Sequence, residues 1–196
     1  MKFLWGLLLV ATPALGGTYT FVGGPLSIPE SGPADPSFLY VEGVEGKMTS
    51  VTVKLNNFSH RYGEETMIAL SNPDGWATLI YDAPDCVITS ADLVFYDEAP
   101  DWLGDKCTWS SQLNGGEFRT GYSAGTHEFT IPIAPIRPLF ETLAELFLED
   151  PNGRWILWSE DFVGGDGGTA DSWELIIETE DAPDPDDPVD PTDPPS

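Results

Sequence analysis

The chain contains two histidines, His60 and His127, and they limit which hydrolytic mechanisms it could run. A serine or cysteine nucleophile needs a base and an orienting carboxylate brought together with it. Neither histidine lies in a recognisable nucleophile context, and no GxSxG, HExxH, GxGxxG or Walker-type run occurs. His60 ends a strand-like run before Arg61-Tyr62-Gly63, and His127 lies between Thr126 and Glu128. With no partner beside either in sequence, both are expected to make structural hydrogen bonds rather than to transfer protons. This reading makes the chain a non-enzyme.

Carboxylates are abundant, and their spacing suggests a cation. Asp92, Asp97 and Glu98 surround an apolar strand, with Asp101 and Asp105 in the loop that follows. Asp161, Asp166 and Asp171 bracket the glycine pairs Gly164-Gly165 and Gly167-Gly168. Calcium takes six to eight oxygen ligands, which Gly-rich acidic loops can wrap around it. None of these runs has EF-hand spacing, and solvated surface acids are the competing explanation. Two carboxylates across a cleft could also serve a glycosidase, which makes a small secreted hydrolase the enzyme alternative. Trp76, Trp102 and Trp109 could stack on a sugar, giving a carbohydrate-binding jelly-roll module as the alternative binding role; packing around a disulfide is the plainer explanation.

The elements that must position these residues read as strands. Twenty glycines and eighteen prolines among 196 residues point to many turns and few helices. Val51, Val53 and Leu55 alternate with Thr52, Lys54 and Asn56, the pattern of a half-buried strand. Ile68 and Leu70 lead into Ser71-Asn72-Pro73-Asp74-Gly75, a turn by composition, and Trp76 to Tyr81 follows as the next strand. Leu93 and Phe95 mark another strand, and Phe129 and Ile131 a short one stopped by Pro132 and Pro135. Trp155 and Leu157 share one face and Ile156 and Trp158 the other, so that strand is expected to be covered on both sides. Trp173, Leu175 and Ile177 close the body. Only Leu139 to Leu148, after Pro138, could form a helix. The expectation is all-β: a jelly-roll-like β-sandwich with Gly/Pro-rich loops.

Both ends differ from this body. Residues 1–16 carry one lysine, an apolar run from Leu4 to Val10 and the small-residue boundary Ala14-Leu15-Gly16, the pattern of a signal peptide. The run is too short to span a bilayer, so the chain is expected to be secreted, with no membrane insertion. Residues 17–180 form the folded domain, and residues 181–196 an acidic Pro/Asp-rich tail expected to be disordered. In an exported chain the isolated pair Cys86 and Cys107 most simply forms one disulfide. Eight basic against 33 acidic residues give a net charge of −25. That charge repels nucleic acid and anionic lipid and favours divalent cations or basic protein surfaces.

Several of these stretches, in order, resemble the P domain (P/Homo B domain) that follows the catalytic domain in proprotein convertases and other subtilisin-like proteases. Leu26-Ser27-Ile28-Pro29-Glu30-Ser31-Gly32-Pro33 is similar to the family's opening block, and Val51 to His60 to its strand ending in Ser-His. Ile68 to Gly75 resembles its hairpin, and Leu93-Val94-Phe95-Tyr96-Asp97-Glu98-Ala99 its acidic strand end. Asn152 to Leu157 and Gly165-Asp166-Gly167-Gly168-Thr169, followed by Trp173-Glu174-Leu175, resemble its closing block. The resemblance spans about Gly24 to Glu178. It implies a jelly roll, often calcium-bound, that stabilises an attached protease and has no active site of its own. Carried over by position, His60, Trp155 and Trp173 would be structural, and Asp97, Glu98, Asp161 and Asp166 the metal-facing acids. Glu65-Thr66 stands where the family shows Asp-Leu, and Thr66 is expected to weaken the apolar side of its strand. No subtilisin-like domain lies between the signal-like segment and this region, so the implied partner is a protease in trans.

Overall fold

A computed structural model of the chain describes residues 16–82, 86–108, 111–120, 130 and 141–180. Most of the signal-like segment, the acidic tail, Trp109, His127, Phe129 and Ile131 lie outside the described residues.

Two sheets face each other around one core. The larger runs β1 (Thr18–Gly23), β14 (Ser172–Glu180), β5 (Lys47–His60), β8 (Cys86–Phe95), β11 (Gly116–Arg119) and β9 (Asp101–Trp102). Here β10 (Ser111–Leu113) pairs with β8, and β13 (Gly168–Ala170) pairs with both β5 and β2 (Leu26–Ile28). The smaller runs β3 (Gly32–Pro33), β12 (Gly153–Asp161), β6 (Thr66–Ser71) and β7 (Ala77–Asp82), with β4 (Ser37–Val41) also on β12. The all-β, two-sheet sandwich expected from the alternation is therefore present.

The core follows the sequence alternation. Val53, Leu55, Leu175 and Trp173 project from one sheet and meet Leu39, Val41, Ile68, Leu70, Trp155 and Leu157 from the other. The two tryptophans are fully buried, and each indole N–H finds an acceptor, Trp155 on Pro151 O and Trp173 on Ser37 Oγ. The second face of β12 is covered only along its later part: Trp158 is buried and donates to Ser71 Oγ, whereas Ile156 is half-buried and Arg154 exposed. The expected turn closes with Gly75 N–H on Asn72 O at 3.0 Å. Residues 139 and 140 of the helix-like run lie outside the described residues, and among its described residues only Leu143–Leu146 coils, as a single 3-10 turn. Glu145 Oε2 accepts the Thr142 N–H at its start, and Leu143 and Leu146 fill one end of the core.

Strand alternation is broken once on each side of the β5–β8 ladder. Leu55 faces Leu93 but Phe58 faces Ala91, so β5 carries one extra residue there. Asn57 absorbs it with φ 55°, its N–H donated to Asp92 Oδ1 and its Nδ2 to Asp171 Oδ2. The next step places the extra residue on β8 instead, where Ser90 takes φ 50° and donates its N–H to Ser59 Oγ. The first bulge reverses the parity of β5. Without it the inward face would continue from Leu55 to Asn57 and Ser59; with it, Phe58 and His60 point inside.

Cys86 and Cys107 form a disulfide with Cα atoms 4.9 Å apart, tying the start of β8 to the end of the short helix Leu103–Lys106. Closing a loop of this sequence separation is worth about 3 kcal/mol by the chain-entropy estimate.

Candidate functional site

A group of ionisable side chains gathers where the ends of β5 and β12 meet the start of β6. His60 closes β5, Thr66 opens β6 and Asp161 ends β12, the last two being register partners across the sheet. Glu65 comes from the 3-10 turn Gly63–Glu65, and Asp166 from the glycine loop that leads into β13. That loop must lie close. A Cβ on Gly168 would stand 2.5 Å from the His60 ring, and one on Gly167 would stand 2.5 Å from Ile28 O.

His60 is buried, and its ring is held on three sides. Nε2 faces Asp161 Oδ2 at 3.0 Å and Thr66 Oγ1 at 2.8 Å, while the Tyr62 N–H points at Nδ1 from 3.3 Å. The amide occupies the Nδ1 lone pair, so the ring proton sits on Nε2 and is offered to Asp161. Asp161 Oδ1 accepts the Val163 N–H at 2.8 Å, so both carboxylate oxygens are in use. Sequence gave His60 no partner because Asp161 lies 101 residues away. Thr66, expected to weaken the apolar side of its strand, is buried with its hydroxyl on the His60 ring.

Glu65 and Asp166 are less well supplied. Glu65 Oε2 and Asp166 Oδ2 are sealed from solvent with no hydrogen-bond partner, and Asp166 Oδ2 is 3.9 Å from His60 Nδ1. Burial, followed by the charges of Asp166, Asp161 and Glu64, pushes the Glu65 carboxyl above its ordinary range. Burial also raises Asp161, against the opposing pull of the Val163 N–H and His60. A proton shared between Glu65 and Asp166, or a hard cation beside them, would satisfy both orphaned oxygens. Their donor chemistry fits calcium, and each Asp161 oxygen already accepts one hydrogen bond.

The four acids singled out from sequence fall into two places. Asp161 and Asp166 belong to this cluster, whereas Asp97 and Glu98 follow β8 at the opposite end of its ladder with β5. His60 pairs with Ile88 and Val53 with Phe95, seven residues along β5, so the two places are roughly 20 Å apart. Asp97 binds protein: its oxygens accept the Leu143 and Ala144 N–H groups at 2.8 Å each and the Thr120 hydroxyl at 3.1 Å. Glu98 beside it is exposed. Among the described residues no group of three or more His, Cys, Asp or Glu is placed to hold a metal ion. The described tryptophans of the sugar-stacking alternative lie on different sheets, Trp76 in the β6–β7 turn and Trp102 on β9 under the Arg119 guanidinium.

No protein-family model matches the chain, and no curated protein matches it. Among solved structures it is similar to the crystal structure of the Aeromonas sobria serine protease and chaperone complex, with 12% identity and a TM-score of 0.44. That alignment covers 86% of this chain and 28% of the matched one. It is also similar to the serine protease of Aeromonas sobria, at 10% identity and a TM-score of 0.40, covering 85% of this chain and 28% of that one. The chain thus spans under a third of each matched chain, and likeness at this level carries no argument about function.

Proposed function

We propose that this chain is a secreted, non-catalytic β-sandwich module of jelly-roll type that engages and stabilises a partner protein, with a protease in trans as the partner. The observation that carries the reading is the state of His60. It is the one histidine among the described residues, it is buried, and the bonds to its ring nitrogens come from Tyr62, Thr66 and Asp161 of its own fold. A general base must reach substrate; this ring braces three strand ends. The acidic body, with net charge −25, favours a basic protein surface over nucleic acid or anionic membrane. The partner's identity as a protease comes from the ordered sequence blocks, Leu26 to Pro33 through Trp173 to Leu175.

Calcium belongs to the same proposal as a stabilising ion at Glu65 and Asp166, whose orphaned oxygens are the donors a hard cation takes. It would supply charge compensation where two half-buried carboxylates otherwise repel.

One experiment tests both parts. The inactivation half-life of a subtilisin-like serine protease is measured with and without the added chain, in calcium and after chelation. Protection that saturates with added chain, weakens on chelation and loses its calcium dependence in Asp166→Asn is the expected result. A half-life that the chain leaves unchanged in both buffers rejects the module reading. Cleavage of peptide substrates by the chain alone rejects the non-catalytic one.

A further inference from the structure

A surface groove of about 600 Å³ opens between residues 24–29, which include β2, and residues 33–38, which enter β4. Its walls include Pro25, Pro29, Pro33 and Pro36, with Asp35 and Phe38 at the end that leads into β4. Proline keeps its carbonyl but has no N–H, so these walls offer hydrogen-bond acceptors and few donors. Beyond the groove, Phe38 and Tyr40 stand 54% and 60% exposed on the outer face of β4, packed edge to face with ring centroids 6.0 Å apart. Their cross-strand neighbours on β12 are Ile156 and Arg154. Scattered exposed aromatics need no explanation, but a stacked pair at the end of a groove of mixed polar and apolar lining makes a compact apolar patch beside an acceptor-rich one.

Charge decides what would fit there. Residues 3–46, which include the whole groove lining and β4, contain no Lys or Arg, although the exposed Arg154 on β12 sets a cation opposite Tyr40 at the far end of the face from Asp35. They do contain Glu30, Asp35, Glu42 and Glu45, all exposed. A second copy of the chain would bring another −25 to the same place and be repelled. The edge strand is interrupted by Pro33 and Pro36, which block pairing along its first part, and among the described strands Ser37–Val41 pairs with β12 alone. We infer that the groove and the Phe38–Tyr40 face dock an extended segment of a partner protein whose side chains alternate between apolar and basic. Its apolar side chains lie on the prolines and Phe38, its cations meet Asp35 and the flanking glutamates, and its backbone runs beside β4.

This inference rests on the reading of the chain as an interaction module and says where that interaction occurs. The test titrates a synthetic peptide of alternating Lys and Val into the full chain at physiological salt and follows the heat of binding. Saturable binding is expected, with loss of at least about tenfold in Phe38→Ser and in Asp35→Lys. Asp105→Lys, a matched charge change on the helix Leu103–Lys106, should leave it intact, and a Glu-for-Lys peptide should not bind. Equal loss in Asp105→Lys and Asp35→Lys would mean diffuse attraction to an acidic body and overturn the site. So would a dimeric chain that Phe38→Ser turns into a monomer. The two readings fail separately. A chain that binds the peptide in this pattern but leaves the protease unprotected keeps the groove and loses the protease. One that protects the protease equally well in Phe38→Ser and Asp35→Lys keeps its function and loses the groove.

Discussion

At the level of single residues, the cluster around His60 has an excess of negative charge and few donors. Glu65 shows the consequence most directly, because burial and three neighbouring carboxylates favour its protonated form in the folded chain. The folded state therefore holds that proton more tightly than the unfolded state does. The stabilisation is complete below the ordinary glutamate value of about 4.3 and is lost as pH rises through the raised folded value. Asp161 pushes in the same direction. In chelated buffer, Glu65→Gln should melt higher than the parent at pH 7, because the amide carries no charge and can donate to Asp166 Oδ2. That advantage should shrink towards zero as the pH is lowered past the ordinary carboxylate range. Parallel melting curves for the two proteins from neutral to acid pH would show that Glu65 ionises freely.

At the level of elements, the alternating strands were legible because burial repeats every second residue along them. Val51, Val53 and Leu55 were read from their spacing, as were Trp173, Leu175 and Ile177, and all six line the core. The switch of parity at Asn57 was not legible, since the signal for it is a left-handed asparagine held by Asp92 of β8 and by Asp171 between β13 and β14. The placement of His60 inside depends on that switch, and so does its meeting with Asp161. His60, Asp161 and Asp166, three of the five clustered side chains, were therefore legible in sequence as candidates, and the pairing that defines the site was present only in the fold. Asp97 shows the converse case. Its position after an apolar strand suits a metal ligand, but the structure uses it to tie that strand's end to the 3-10 turn Leu143–Leu146, 46 residues further on. Asp97→Ala should cost about 1–2 kcal/mol, as loss of a helix cap does, because the Leu143 and Ala144 N–H groups lose their acceptor. Urea unfolding with and without calcium checks this. Equal costs in both buffers assign Asp97 to capping, and a cost that appears only with calcium would return it to an ion.

At the level of the whole molecule, two electrostatic effects compete, and their sizes predict which wins. Lys47–Glu180 at 3.6 Å, Lys54–Glu174 at 3.7 Å and Lys106–Asp101 at 3.0 Å are ion pairs at least partly open to solvent. Such pairs are each worth about 0–1 kcal/mol, and salt weakens them. Against them stands the mutual repulsion of 33 acidic residues with only eight basic ones to offset it. Folding brings those charges closer together, so repulsion lowers stability, and salt relieves it over distances beyond a Debye length of about 8 Å at 0.15 M. Repulsion involves many more pairs than attraction here. Sodium chloride should therefore raise the thermal midpoint at pH 7, steeply at first and then levelling as screening becomes complete. A midpoint that falls with salt would mean that the few cations are placed well enough to outweigh the excess of acids. The same titration sets the baseline for calcium, since any divalent ion relieves diffuse repulsion. A further rise with calcium, at an ionic strength where sodium chloride has already levelled off, belongs to Glu65 and Asp166; magnesium at the same concentration should not reproduce it, because it gives up its hydration water reluctantly.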